Sequence, residues 1–252
     1  MKKTGVFVCA AFLSPSLVFA NGDFVNGSFE SGDYTGWTLW EGGASTDPFW
    51  GTWGIAFDDQ TVYPGDAVFD YFDGIYVPVF SPGYPKTFHA TDGVYLAIQA
   101  QLGEQTHRMY QDIALDARAK KMKFDMEYTT WAPFFPDNQV LTISLRDVND
   151  NILEVLFQTV EGNSPYSIPM TTFEFDVKDY RNQTVRVDVE LIANEFFFDA
   201  AFDNFSIERS EIPPGWYQGL KNGWVGDLPP GLEELPPGFD DGTKAGWGTN
   251  GN

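Results

Sequence analysis

Between Asp92 and Arg209 the chain alternates apolar and polar residues with a period of two, and this limits the possible folds more than any other feature. Met122, Phe124, Met126 and Tyr128 share one parity, while Lys121, Lys123, Asp125 and Glu127 hold the other. Leu141, Ile143 and Leu145 repeat the pattern, as do Val185, Val187, Val189 and Leu191. Successive side chains of a strand point to opposite faces, so these runs read as strands with one wet and one buried face. Turn-forming clusters separate them: Pro136-Asp137-Asn138, Val148-Asn149-Asp150-Asn151 and Glu161-Gly162-Asn163-Ser164-Pro165. No stretch carries a helical stripe. The fold class expected is all-β, an antiparallel β-sandwich.

The flanks read differently. Lys2 and Lys3, the apolar run Val6 to Leu13, and Val18-Phe19-Ala20 have the order of a secretory signal with a small-residue cleavage site. The signal is expected to span residues 1–20, making the protein exported, extracellular or surface-bound. No later stretch reaches the ~20 apolar residues of a membrane span. Cys9, the single cysteine, would leave with the signal, so the mature chain would have neither disulfide nor thiolate metal site. Loss of Lys2 and Lys3 takes the formal net charge from −21 to −23, and no Lys or Arg occurs between Asn21 and Pro85. Such a field repels nucleic acid and anionic lipid and suits cations or neutral and basic partners. Residues 21–210 are expected to form one sandwich domain, interrupted by an aromatic insert at about 41–88. From 211 to 252 the chain repeats Pro-Pro-Gly followed by Trp216, Leu232 or Phe239, the composition of a Pro/Gly-rich flexible C-terminal tail.

The opening phrase Phe24-Val25-Asn26-Gly27-Ser28-Phe29-Glu30-Ser31-Gly32, with Gly36-Trp37 after it, pairs with a closing phrase, Phe202-Asp203-Asn204-Phe205-Ser206. Together they resemble the galactose-binding-like jelly rolls, especially the carbohydrate-binding modules attached to bacterial glycan-degrading enzymes. Asp92-Gly93-Val94-Tyr95-Leu96 and Tyr110-Gln111-Asp112-Ile113 look like middle strands of the same pattern. Asp203 shares parity with Ala201, Phe205 and Ile207, which predicts an inward-pointing carboxylate. Such a group takes up a proton or recruits a cation unless it is paired. The resemblance implies a jelly-roll sandwich whose first and last strands lie side by side and hold a structural calcium. The ligands it implies are the Ser28 carbonyl, Glu30 and Asp203, with Asp92 as a further one; all are the oxygen donors that calcium prefers.

Asp147-Val148-Asn149-Asp150-Asn151 starts like an EF-hand loop, but Ile152 stands where that loop needs Gly and Gln158 where it needs Glu. A hairpin turn is expected there instead. Rings and carboxylates alternate through the insert, and aromatic faces stack on sugar rings while carboxylates accept bonds from hydroxyls. Trp50, Trp53, Tyr71 and Tyr76, with Trp131 at a strand end, are therefore candidate glycan-binding residues. The competing reading buries most of these rings in a satellite core. No Gly-x-Ser-x-Gly elbow or zincin motif occurs, and with 36 acidic residues the spacing of any two carries no information on hydrolysis. The sequence points first to a secreted, non-catalytic carbohydrate-binding sandwich with a neutral glycan or a cell-surface or matrix component as partner. An extracellular structural or adhesive protein on the same fold is the alternative, and a glycoside hydrolase or polysaccharide lyase comes third.

Overall fold

The period-two runs are strands. In the computed structural model Met122–Tyr128 lies within β9 (Ala119–Thr130), Leu141–Leu145 within β10 (Gln139–Arg146) and Val185–Leu191 within β13 (Thr184–Ala193). The structure describes residues 23–43, 51–62, 67–70, 76–78, 86–101, 105–130, 139–193 and 198–210. The expected signal (1–20) and tail (211–252), and Trp50, Tyr71 and Trp131, lie outside the described residues.

The remaining strands are β1 (Thr38–Gly43), β2 (Gly51–Phe57), β3 (Thr61–Val62), β4 (Ala67–Asp70), β5 (Tyr76–Pro78), β6 (Lys86–Thr87), β7 (Tyr95–Gln101), β8 (Gln105–Ala114), β11 (Ile152–Gln158), β12 (Ser167–Asp176) and β14 (Phe198–Arg209). Sheet A has the order β1-β8-β13-β10-β11 and sheet B the order β12-β9-β14-β7-β2-β4-β5, while β3 and β6 pair separately. All pairings are antiparallel. From β7 to β10 the chain crosses between the sheets at every connection, and after the β10–β11 hairpin it does so again up to β14. Among the described residues the only helix is a single 3-10 turn, Lys178–Tyr180.

Between the sheets lies a core of the expected parity, with Met122, Phe124, Met126 and Tyr128 of β9 facing Leu141, Ile143 and Leu145 of β10 and the valines of β13. One end of this core is aromatic. Trp37 meets Phe205 edge-on at 4.9 Å and stacks on Phe29 at 5.6 Å, and Phe124 stacks on Phe205 at 5.2 Å. Truncating such a ring to alanine costs about 3–5 kcal/mol. The opening phrase forms turns rather than a strand, yet it reaches β14: Phe205 N–H donates to the Gly27 carbonyl at 2.9 Å. A Cβ at residue 27 would overlap the Phe205 carbonyl oxygen, so this approach requires glycine. The two limits of the described sandwich also meet, through Arg209 and Asp23 at 2.6 Å.

One inference from parity is corrected here. Between Asp203 and Ser206 β14 slips register against β9, with Asn204 in the left-handed region at φ 55. This bulge inserts a residue and reverses which face each side chain takes. Phe198, Ala200 and Phe202 face the core before it, and Phe205 and Ile207 after it. Asp203 therefore shares the outer face of sheet B with Ala201, where Ala56, Phe88, Leu96 and Ile98 form a second, smaller cluster. The carboxylate is buried, but under the segment leading into β7 rather than inside the sandwich.

Candidate functional site

Asp203 has no exposed surface and meets no basic side chain among the described residues. Its Oδ2 accepts the Thr91 and Asp92 amides at 2.6 and 3.0 Å and the Thr91 hydroxyl at 3.1 Å. Its Oδ1 accepts the Asn204 amide at 2.7 Å. Burial pushes its carboxyl up to about 6, and these donors offset part of that rise. Asp125, the cross-strand neighbour of Asp203, accepts from Thr91, Thr172 and the Asn204 side chain. Glu30 accepts the Val94 and Tyr95 amides on Oε1, both at 2.7 Å. Asp92 thus serves Asp203 through its backbone N–H, and the carboxylates of Glu30, Asp92 and Asp203 are not gathered within 4.8 Å of one another. Within Glu30 and Asp203, the oxygens with least hydrogen bonding are Glu30 Oε2 and Asp203 Oδ1. Among the described residues Asp58 and Asp59, on the turn after β2, and His89, after β6, do bring ligand atoms within 4.8 Å.

Of the candidate rings, Trp53 is fully buried at 0 % exposure, held by Tyr34 at 6.2 Å and Phe202 at 6.1 Å. It is a core residue and not a surface anchor, because β2 joins sheet B beside β7 and turns position 53 inward. Tyr76 falls in the short strand β5, where only its backbone is described.

The best-organised polar surface is the outer face of sheet A, which the sequence left unmarked. Cross-strand register sets Trp40 opposite Arg108, Thr38 opposite Tyr110, Tyr110 opposite Asp188, and Asp112 opposite Arg186. Arg108 grips fully buried Asp188 and reaches Asp150 at 2.9 Å. Arg186 forks onto Asp112 at 2.8 and 3.1 Å, donates to Asp150 at 3.3 Å, and stacks on the Tyr110 ring at 4.1 Å. Arg146 lies 3.6 Å from Asp150 and 3.5 Å from Glu190. Burial works against the Arg108 charge, but Asp188 and Asp150 hold its pKa well above the ordinary value. The Arg108 bond in turn holds Asp150 below the ordinary carboxylate range, helped by Arg146 and Arg186.

Beside this network Trp40 is 48 % exposed. Its ring lies over Gly42, where any Cβ would collide with the indole. The strand therefore leaves about half of the indole open to solvent, next to fixed guanidinium and carboxylate groups. Arg108-x-Tyr110-x-Asp112 and Arg186-x-Asp188-x-Glu190 were visible as alternating polar positions, but only the register brings them together.

No protein-family profile matches the chain, and no characterised protein matches it in sequence. Its fold is similar to several solved sandwiches, carbohydrate-binding modules among them. TmCBM61, solved with β-1,4-galactotriose, is 12 % identical with a TM-score of 0.40, over 75 % of this chain and 99 % of that one. The apo form of a cyclase from Fischerella sp. is 14 % identical with a TM-score of 0.40, over 77 % and 100 %. The K3 cleaved adhesin domain of Lys-gingipain from Porphyromonas gingivalis w83 is 10 % identical with a TM-score of 0.40, over 73 % and 96 %. These are likenesses of fold alone.

Proposed function

We propose that the protein is a secreted, non-catalytic glycan-binding sandwich whose binding surface is the outer face of sheet A. The observation that carries this reading is the Trp40 indole, half exposed and set against Gly42 beside the Arg108–Tyr110–Arg186 array. A sugar ring stacks on the indole while its hydroxyls bond to guanidinium and carboxylate arms that are already fixed by one another. The carboxylates of this face are engaged by arginines, which suits hydrogen bonding to a neutral glycan better than acid–base chemistry. The protein belongs to the outside of the cell in this reading, as its opening residues suggest. A calcium ion is proposed on the ligand set that the opening and closing phrases imply, the Ser28 carbonyl, Glu30 and Asp203, and it would neutralise a buried acid that lacks a basic partner among the described residues.

A glycan array probed with the full chain, with and without EDTA, tests the reading. Trp40→Ala is expected to weaken binding of the best neutral glycan by about 1–3 kcal/mol. Its melting temperature should stay close to wild type, since a half-exposed ring adds little to the core. Gly42→Val, which displaces the indole, should reproduce the loss. Full binding by both variants would refute the assignment of this face. The adhesive alternative is favoured by one observation, the exposed apolar edge formed by Ile152, Leu153 and Val155 of β11.

A further inference from the structure

One imidazole and two carboxylates from distant parts of the sequence meet beside the insert. Asp58 and Asp59 stand on the turn after β2, and His89 follows β6. The backbone brings these segments together without help from the three side chains. β3 pairs with β6, the Thr61 and Thr87 hydroxyls lie 2.9 Å apart, and the Phe88 N–H donates to the Gln60 carbonyl at 2.9 Å. Phe88 is buried in the smaller apolar cluster, which fixes the residue before His89. The Asp58 N–H donates to the Val94 carbonyl at 2.7 Å, and Asp58 Oδ1 accepts the Ala90 N–H at 3.2 Å. His89 Nδ1 then lies 3.3 Å from Asp59 Oδ1 and 3.8 Å from Asp58 Oδ1. Both separations exceed the ~2.7–3.2 Å of an N–H···O hydrogen bond. Two ligand atoms about 2.1 Å from one ion, at a tetrahedral angle, stand about 3.4 Å apart. The spacing of the three atoms suits a shared ion better than a direct bond.

We infer that Asp58, Asp59 and His89 bind a divalent transition-metal ion of the zinc type, at a site separate from the calcium ligand set and from the outer face of sheet A. One imidazole nitrogen with two carboxylate oxygens suits zinc and its neighbours, whereas calcium takes oxygen ligands. His89 is 64 % exposed and both carboxylates are open to solvent, so water completes the coordination. No Lys or Arg occurs between Asn21 and Pro85, and the field of this stretch draws a cation in. An ion held there ties the turn after β2 to the segment that begins at His89, and so joins the two ends of residues 60–88. That segment continues to Thr91 and Asp92, whose amides hold Asp203.

The test titrates Zn²⁺ into the full chain, stripped of metal with EDTA that is then removed, with calorimetry for affinity and NMR of the imidazole C–H resonances of the two histidines. Saturable movement of the His89 signals at one ion per chain is expected, with buried His107 unmoved and with excess Ca²⁺ unable to reverse the change. His89→Ala and Asp59→Asn should each weaken Zn²⁺ binding by at least about tenfold. Neither should alter the melting temperature of the metal-free protein, because both side chains are exposed and Asn tolerates the left-handed backbone of residue 59, at φ 59. Trp40→Ala should leave Zn²⁺ binding unchanged, which separates this site from the glycan face. His89 signals that Zn²⁺ does not move would overturn the inference and leave an exposed ion pair. Zn²⁺ affinity unaltered in Asp59→Asn would also overturn it, since the metal would then be meeting a lone imidazole.

Discussion

Asp203 and Trp53 were both singled out from the sequence, and for each the outcome turned on one local feature. Asp203 was expected to be buried and is, but the left-handed Asn204 beside it turns the carboxylate out of the sandwich, and no alternation pattern signals a bulge. In an unfolded chain an aspartate ionises near 3.8, whereas in the fold burial keeps the Asp203 proton to about 6. Between those values the folded state binds more protons, so stability is greatest below the lower value and declines as pH rises through the upper one. The loss is at most about 3 kcal/mol. In EDTA the wild type should therefore lose stability relative to Asp203→Asn as pH goes from about 4.5 to 7. Calcium on the carboxylate favours the anion and reverses the slope, so that the metal-loaded protein loses stability as pH falls. Thermal melts of both proteins, with calcium and with EDTA, read the sign directly. The same slope in calcium as in EDTA would sink the calcium proposal. Trp53 was a candidate anchor because it is a tryptophan among aspartates. Its burial depended on which neighbour β2 would find, and nothing local to residues 51–57 specified β7.

At the scale of elements, the strands with one wet face were legible because a parity of Val, Leu, Met and Phe against Lys and Glu is a direct record of burial. What lies opposite what was not legible, and the Trp40–Arg108–Asp188 surface exists only through the register of β1, β8 and β13. The edges show a related contrast. β12 ends sheet B and carries Pro169 at a register shift, with Glu174 and Asp176 farther along, features that discourage a further strand from pairing. β11 ends sheet A with Ile152, Leu153 and Val155 exposed and Glu154 as its one charge. Its register shifts against β10 give the edge some protection. Self-association through β11 is the expected outcome at high protein concentration, and Val155→Lys should reduce it. Sedimentation of the two proteins over a range of concentrations measures this. The substitution should change stability by no more than about 0.5 kcal/mol, as exposed sites usually do. Identical concentration dependence in wild type and variant would remove β11 as the adhesive edge.

For the whole molecule the dominant quantity is charge, 36 acidic residues against 15 basic ones. Repulsion among them opposes compaction and is screened by salt over about 10 Å at 0.1 M. Raising NaCl from ~50 to ~500 mM should therefore raise the melting temperature, while affinity for a neutral glycan stays within about twofold. A steep salt dependence of binding would identify a charged ligand instead. The sandwich also has a direction. Asp23 and Arg209 are joined, and Ser210 N–H donates to Arg118, in the turn between β8 and β9, at the aromatic end. The end where β8 and β10 begin is the opposite one. Residues 23 and 210 therefore lie at one corner, and a tether pulled at either side would load the Asp23–Arg209 and Ser210–Arg118 contacts first. A partner joined there would hold the sandwich by its aromatic end, with the starts of β8 and β10 turned away from it.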